Sequence, residues 1–250
     1  MVPSYQSIIV VFVGLVVGSF VNVVVYRWPR QVSLIFPNSF CPACNKGIKF
    51  YDNIPVLSYL ILKGKCRFCK APISPRYPLV ELACGGLAYL LFRMLGPSID
   101  LAGFFLFCLG LLALSLIDLE TELIPNIITL PLAGLGLIFS FFSDEVGPWD
   151  SVLGVLAGAG FFFLVSVGYK ALRGREGLGF GDVKLMGMIG AFLGWQGLLP
   201  TILIGSFSGL VAALALFLLR GWKYADPIPF GPFLSLGAVV SLFLKISLRF

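Results

Sequence analysis

The chain has 250 residues, 58% of them hydrophobic and only 12% charged. Soluble domains average about 45–50% apolar and about 25% charged residues, so this composition cannot cover a water-facing surface. Intrinsic disorder, collagen and a secreted disulfide scaffold are excluded on the same grounds, which leaves an all-α polytopic membrane protein.

At roughly 20 apolar residues per crossing, the sequence predicts about eight transmembrane helices. The first covers residues 7–26; it lacks the basic start and small-residue cleavage site of a signal peptide and is expected to be retained. A polar stretch, 27–77, follows. The second and third spans are 78–95 and 101–117. The fourth, 125–142, opens with Pro125 at a helix start, where the missing N–H does no harm. Spans 152–169, 183–195, 198–219 and 233–248 complete the set. The sixth has too few residues for a straight crossing, and is expected to be tilted or to continue through Gln196-Gly197 into a re-entrant turn. Three parts result: a first transmembrane helix (1–26), a polar loop (27–77) and a helical bundle (78–250).

The net charge of +6 would suggest a nucleic-acid partner in a soluble protein; in a membrane protein it sets orientation, because basic loops stay in the cytoplasm. Nine of the 18 Lys and Arg lie in 27–77 and four in 170–184, while Arg220 and Lys223 share a third loop. The connections 143–150 and 196–200 carry none. This asymmetry predicts that all three basic loops are cytoplasmic and both termini are outside, with no nucleic-acid partner. Gly14 and Gly18 form a small-xxx-small pair suited to close helix contact.

Within 27–77, Cys41-Pro-Ala-Cys44 and Cys66-Arg-Phe-Cys69 form two C-x2-C pairs separated by 21 residues. That spacing suits a tetrahedral site in which Zn2+ accepts four thiolates. Such a site is structural, since no coordination position is left for substrate. It would staple about 50 residues that have almost no apolar core. Two reduced pairs, or disulfides in an inverted topology, are the alternatives. Cys84 and Cys108 each sit alone in an apolar span and read as packing residues.

Asp100, Asp144, Glu145 and Asp150 fall in external turns. Three other acids sit where a carboxylate is costly, and such groups are functional candidates. Asp118 ends the third span, Asp182 opens the sixth in Gly179-Phe180-Gly181-Asp182, and Glu81 lies in the first turns of the second. Asp118 and Asp182 fall at the cytoplasmic ends of their helices. At one depth they can share a proton and activate a water, the logic of an aspartyl protease pair. Gly179 and Gly181 let backbone approach a substrate and allow the turn that aims Asp182 inward. Each acid also has a plainer reading: Asp182 as a helix N-cap, and Asp118 with Glu120 and Glu122 as a solvated helix end. The dipole favours the anion at Asp182 and opposes it at Asp118.

Taken in order, these motifs resemble the type IV prepilin peptidases, membrane aspartyl proteases of pilus and type II secretion systems. Gly18 to Arg27 resembles the family's first-span ending. Cys41 to Pro55, Gly64 to Cys69 and Arg76 to Glu81 resemble its large cytoplasmic loop. Asp118 to Asn126 resembles the first catalytic motif, Gly179 to Lys184 the G-x-G-D signature, and Pro229 to Leu234 the closing motif. The resemblance implies Asp118 and Asp182 as the catalytic pair, supported by Gly179, Gly181 and Lys184. It implies a prepilin or pseudopilin substrate in the lipid bilayer, cut after Gly at the cytoplasmic face of the bacterial inner membrane. Keeping all four Cys, the chain resembles members that also methylate the new N-terminus with S-adenosylmethionine. Glu81 is the candidate for that second site. Glu120 and Glu122 are candidates to attract the basic leader.

Two other classes fit part of the pattern. A transporter with paired intramembrane acids gives the cysteine loop no role and calls for broken helices in symmetric halves. A zinc scaffold on a membrane anchor leaves the boundary acids idle.

Overall fold

The computed structural model describes residues 4–174, 177–220 and 229–248. Of the basic residues counted above, Arg175 and Lys223 lie outside the described residues. Among those described there are no strands, only two isolated β-bridges, Phe40 with Gly47 and Lys65 with Pro72. The helices are α1 (Ser4–Arg27), a short α2 (Leu57–Ile61), α3 (Arg76–Leu95), α4 (Ile99–Thr121), α5 (Asn126–Phe139), α6 (Pro148–Arg173), α7 (Phe180–Leu193), α8 (Leu198–Arg220) and α9 (Gly231–Ser247). Five of them, α1, α3, α4, α6 and α8, are long and apolar enough to cross a bilayer. The other three beyond α2 are shorter, so the eight expected spans correspond to eight helices of unequal reach.

Several boundaries differ from the sequence expectation. Pro125 is the N-cap of α5 rather than its first residue, and the helix stops at Phe139, short of residue 142. Helix α4 runs three residues past Asp118, to Thr121. It ends where Glu122 takes a φ of +55°, the left-handed conformation that commonly closes helices, with its N–H donating to the Asp118 carbonyl at 2.8 Å. Helix α7 is followed by Gly194 at φ +71° and a single 3-10 turn, Trp195–Gly197, before α8 begins.

The chain forms two compact units, Met1–Leu101 and Ala102–Phe250. In the first, α1 packs along α3 through the two glycines. A Cβ on Gly14 would lie 2.8 Å from the Cys84 carbonyl oxygen and from the Gly85 Cα, and one on Gly18 would lie 2.9 Å from the Glu81 Cα. Only hydrogen fits there, and the close approach supplies the dispersion contact that holds helices together in lipid. Buried Cys84 lies in this contact.

The second unit is built around α7, eleven of whose fourteen residues are buried. Phe107 of α4 stacks on Phe192, with ring centroids 4.7 Å apart, and Phe139 of α5 meets the same ring at 5.7 Å. Backbones of α6 and α7 touch: a Cβ on Gly190 would sit 2.1 Å from the Gly154 carbonyl oxygen. Enclosure explains why α7 can be short. At about 1.5 Å per residue it spans only about 21 Å, and neighbouring helices supply the lipid-facing surface.

The readings of two acids are corrected, the first at the far end of α7. Asp150 is no idle turn residue: its Oδ1 accepts hydrogen bonds from Trp195 Nε1 and Gln196 Nε2, both at 3.0 Å. Lys245 Nζ donates to the Leu193 carbonyl and Ser241 Oγ to the Gly197 carbonyl, so the turn after α7 is tied from both α6 and α9. Asp100, also read as a turn acid, is buried in the first turn of α4.

Candidate active site

Four helix ends converge at the opposite pole of the second unit. Asp118 lies in the last turn of α4, Asn126 opens α5, Asp182 lies in the first turn of α7, and Gly231 opens α9. Both Asp side chains are buried and near enough for their charges to act on one another. Asp118 Oδ2 accepts the Gly231 N–H at 3.1 Å. Ile124, in the connection between α4 and α5, touches both sides of this arrangement. A Cβ on Gly181 would lie 3.0 Å from the Ile124 Cβ, and one on Gly231 would lie 3.3 Å from its Cδ1.

Asp182 is the third residue of α7, and Gly179 is the N-cap, with no side chain of its own to offer. The Asp182 carboxylate therefore reaches back to the Gly179 N–H, the acidic half of a capping box. Capping and chemistry are compatible here, because a carboxylate accepts about four hydrogen bonds. Lys184, two residues on, donates from Nζ to Asn126 Oδ1 and lies over the Phe180 ring, 5.2 Å from its centroid. That contact fastens the start of α5 to the start of α7. Glu120 is exposed, outside the buried cluster.

In the first unit the four cysteines gather as the spacing predicts. Their sulfurs lie within 4.8 Å of one another, and Cys41 and Cys69 are 3.8 Å apart. A tetrahedron with metal–sulfur bonds of about 2.3 Å has edges of about 3.8 Å, so the donor set fits a metal ion. The two halves share one local structure. Cys41 N–H donates to the Lys46 carbonyl and Asn45 N–H to the Cys41 carbonyl; Cys66 N–H donates to the Ala71 carbonyl and Lys70 N–H to the Cys66 carbonyl. Asn45 and Lys70, each following the second cysteine of its pair, take φ of +53° and +60°. Each pair is thus a tight knuckle that aims amides at sulfur. The N–H groups of Cys69 and Phe68 hold the Cys66 thiol down at about 6, whereas Cys69, despite the Ala71 N–H, is pushed up to about 11 by burial and the neighbouring sulfurs; one thiolate is ready, and a metal would displace the protons of the others on binding.

Glu81 is buried at the start of α3. Its Oε2 accepts the N–H of Val56 at 2.7 Å, and the Ser19 hydroxyl also bonds to it. Val56 has a φ of +61°, strained for a β-branched residue, so Glu81 holds a special turn of the loop in place. Glu81 also lines a cavity of about 400 Å³ between α1, the start of α3 and the cysteine loop. That volume lies in the range of about 300–1,000 Å³ found for small-molecule sites.

Sequence reasoning passed over two of these residues. Asn22 was read only as part of a motif, yet it is buried and lines the cavity; a lone amide in an apolar helix was the available signal. Gly231 carried no assigned role, because a backbone N–H leaves no chemical trace in a sequence.

The fold and the site define a polytopic α-helical membrane protein with paired buried carboxylates and a separate four-thiolate module. The bacterial peptidase A24 N-terminal domain matches residues 12–95, and the type IV leader peptidase family matches residues 105–214. The chain is 38% identical over 263 residues to a prepilin leader peptidase/N-methyltransferase of Burkholderia pseudomallei (strain K96243), covering 95% of this chain and 85% of that protein. Proteins of the same name from Stutzerimonas stutzeri and Klebsiella pneumoniae are 40% and 44% identical, covering 92% and 77% of this chain and 87% of each relative. No solved structure matches at a significant level. The chain belongs to the type IV leader peptidase family and is a multi-pass inner-membrane protein.

Proposed function

We propose that this protein is a membrane aspartyl endopeptidase that removes the basic leader of prepilins or pseudopilins, and that Asp118 and Asp182 are its catalytic pair. The observation that carries this reading is the meeting of these two buried acids, 64 positions apart in sequence, at one pole of the second unit. One carboxylate in its ionised form takes a proton from a water while the other, protonated, donates to the peptide carbonyl. The Gly231 N–H holds the Asp118 carboxylate in place, Gly181 lets α7 close against Ile124 beside Asp182, Gly179 offers the Asp182 carboxylate its N–H, and Lys184 braces α7 against α5.

The basic-loop asymmetry supports a cytoplasmic site with both termini outside. A substrate whose apolar helix lies in lipid and whose leader lies in the cytoplasm then presents its scissile bond after Gly at the depth of the two acids. Exposed Glu120 and its neighbour Glu122 lie beside Asp118 to attract the leader's Lys and Arg.

The second activity is methylation of the new N-terminus. S-adenosylmethionine, when bound, supplies the methyl group; Glu81 and the cavity beside it are the residues that fit such a ligand. Zinc on Cys41, Cys44, Cys66 and Cys69 is the metal best matched to four thiolates, and its part is to hold the loop that walls this cavity.

Incubating the detergent-purified protein with a prepilin tests the reading. Asp118→Asn and Asp182→Asn are each expected to abolish the shortened product while leaving thermal stability unchanged; wild-type cleavage by either refutes the catalytic pair. Mass spectrometry of the product N-terminus reports the cleavage position and the added methyl together.

A further inference from the structure

The cavity in the first unit contains a polar group that the reading above does not use. Asn22 is 1% exposed. Its Nδ2 donates to the Tyr77 carbonyl at 3.0 Å and to the Gly18 carbonyl at 3.4 Å. Two carbonyls on one side of the amide fix its orientation, so Oδ1 can act only as an acceptor. That oxygen is enclosed and has no hydrogen-bond partner. A buried acceptor without a donor is a cost that folding alone does not explain.

Glu81, which lines the same cavity, is a second acceptor with capacity to spare. The Val56 N–H and the Ser19 hydroxyl occupy two of its roughly four lone-pair sites. The guanidiniums lining the cavity are engaged elsewhere: Arg27 donates to the Ser33 and Pro37 carbonyls, and Arg67 grips Asp52 at 2.7 and 2.5 Å. An amide oxygen that needs a donor and a buried carboxylate, both on residues that line one cavity of ligand size, match one chemical class.

We propose that Asn22 and Glu81 together receive a primary ammonium group, a proposal that rests on the methyl-transfer reading above. Two ligands of that reaction carry such a group: the new N-terminus of a processed peptide, and the methionyl amine of S-adenosylmethionine. Glu81 supplies the charge and Asn22 the direction, and a group lacking N–H donors leaves Asn22 Oδ1 unsatisfied.

The full-length protein in nanodiscs is titrated with four probes. These are a synthetic peptide with a free amine and an apolar first residue, its Nα-acetylated form, S-adenosylmethionine, and an analogue of it lacking the methionyl amine. The variants are Glu81→Gln, which keeps the shape and removes the charge, Asn22→Leu, which removes the acceptor, and Asn22→Asp, which keeps one. Prepilin cleavage checks that each variant is folded. For one amine-bearing probe, affinity is expected to fall at least about tenfold (about 1.4 kcal/mol) in Glu81→Gln and Asn22→Leu and to persist in Asn22→Asp, while its amine-blocked partner is insensitive to all three. Dependence of the peptide names the processed N-terminus as the occupant; dependence of S-adenosylmethionine names its methionyl group. If neither amine matters, or neither variant changes affinity, the ammonium site is refuted. Should Asn22→Leu fail to fold, Glu81→Gln and Asn22→Asp decide alone. A wild-type protein that transfers no methyl group refutes the underlying methyltransferase reading instead, so the two failures are distinguishable.

Discussion

Across 113 residues of chain, the backbone N–H of Gly231 donates to Asp118 Oδ2 at 3.1 Å, and a Cβ on Gly231 would come within 2.6 Å of the same oxygen. The start of α9 is thus part of the site, and its glycine is required by the neighbouring carboxylate rather than by its own backbone conformation. Gly231→Ala is expected to push Asp118 aside. A misplacement of about 1 Å costs a catalytic group about a hundredfold. Prepilin cleavage should therefore fall by about that factor with the melting temperature little changed. Equal falls in cleavage and in melting temperature would show that the contact is structural only.

The contact between Lys184 and Asn126 makes a milder prediction. It joins α7 to α5 beside the paired acids without touching either. Hydrogen bonds between membrane helices are worth about 0.6–1.7 kcal/mol. Lys184→Met and Asn126→Leu should each slow cleavage roughly threefold to twentyfold by that measure. The double variant should be no worse than either single one. Additive losses in that cycle would mean the two residues act separately.

Packing of α6 on α7 sets a third test. Gly190→Leu places a side chain where backbone already stands, 2.1 Å from the Gly154 carbonyl oxygen, and is expected to yield little folded protein in detergent extracts. Gly160, on the same α6, meets nothing within 4 Å of its Cβ position, so Gly160→Ala should express and cleave normally. Size-exclusion profiles of the two variants distinguish a local contact from a general intolerance of α6.

Metal removal is the fourth. Metal analysis of the purified protein should give one zinc per chain, lost in Cys41→Ser. A metal held by thiolates is released by acid, because each sulfur must be deprotonated to bind. Chelator at mildly acidic pH should therefore open the cysteine loop to trypsin within 41–69, and zinc at neutral pH should close it again. A loop equally resistant with and without metal would remove the staple.

Much of the candidate site can be proposed before any coordinates. A carboxylate inside an apolar run and a C-x2-C spacing are local chemical signals, visible wherever the chain later goes. Asp118, Asp182, Glu81 and the four cysteines stand out as candidates for that reason. Asn22 was visible but unremarkable, since one amide near a helix end has many uses. Gly231 and the turn clasped by Asp150 were not legible, because a backbone donor and an exposed-looking acid acquire meaning only from partners far off in sequence.

Composition alone determined that this chain lives in a bilayer, since so few charges cannot clothe a soluble fold, and cysteine spacing alone pointed to a four-cysteine cluster suited to a metal ion. The tertiary structure decided which acids meet. Two acids 64 residues apart could have ended on opposite sides of the bundle with the same hydropathy pattern. Helix α7 settles the matter by packing its glycines onto α6 and its Phe192 onto α4 and α5. That packing depends on side-chain volumes matched between helices, which a one-dimensional pattern does not carry.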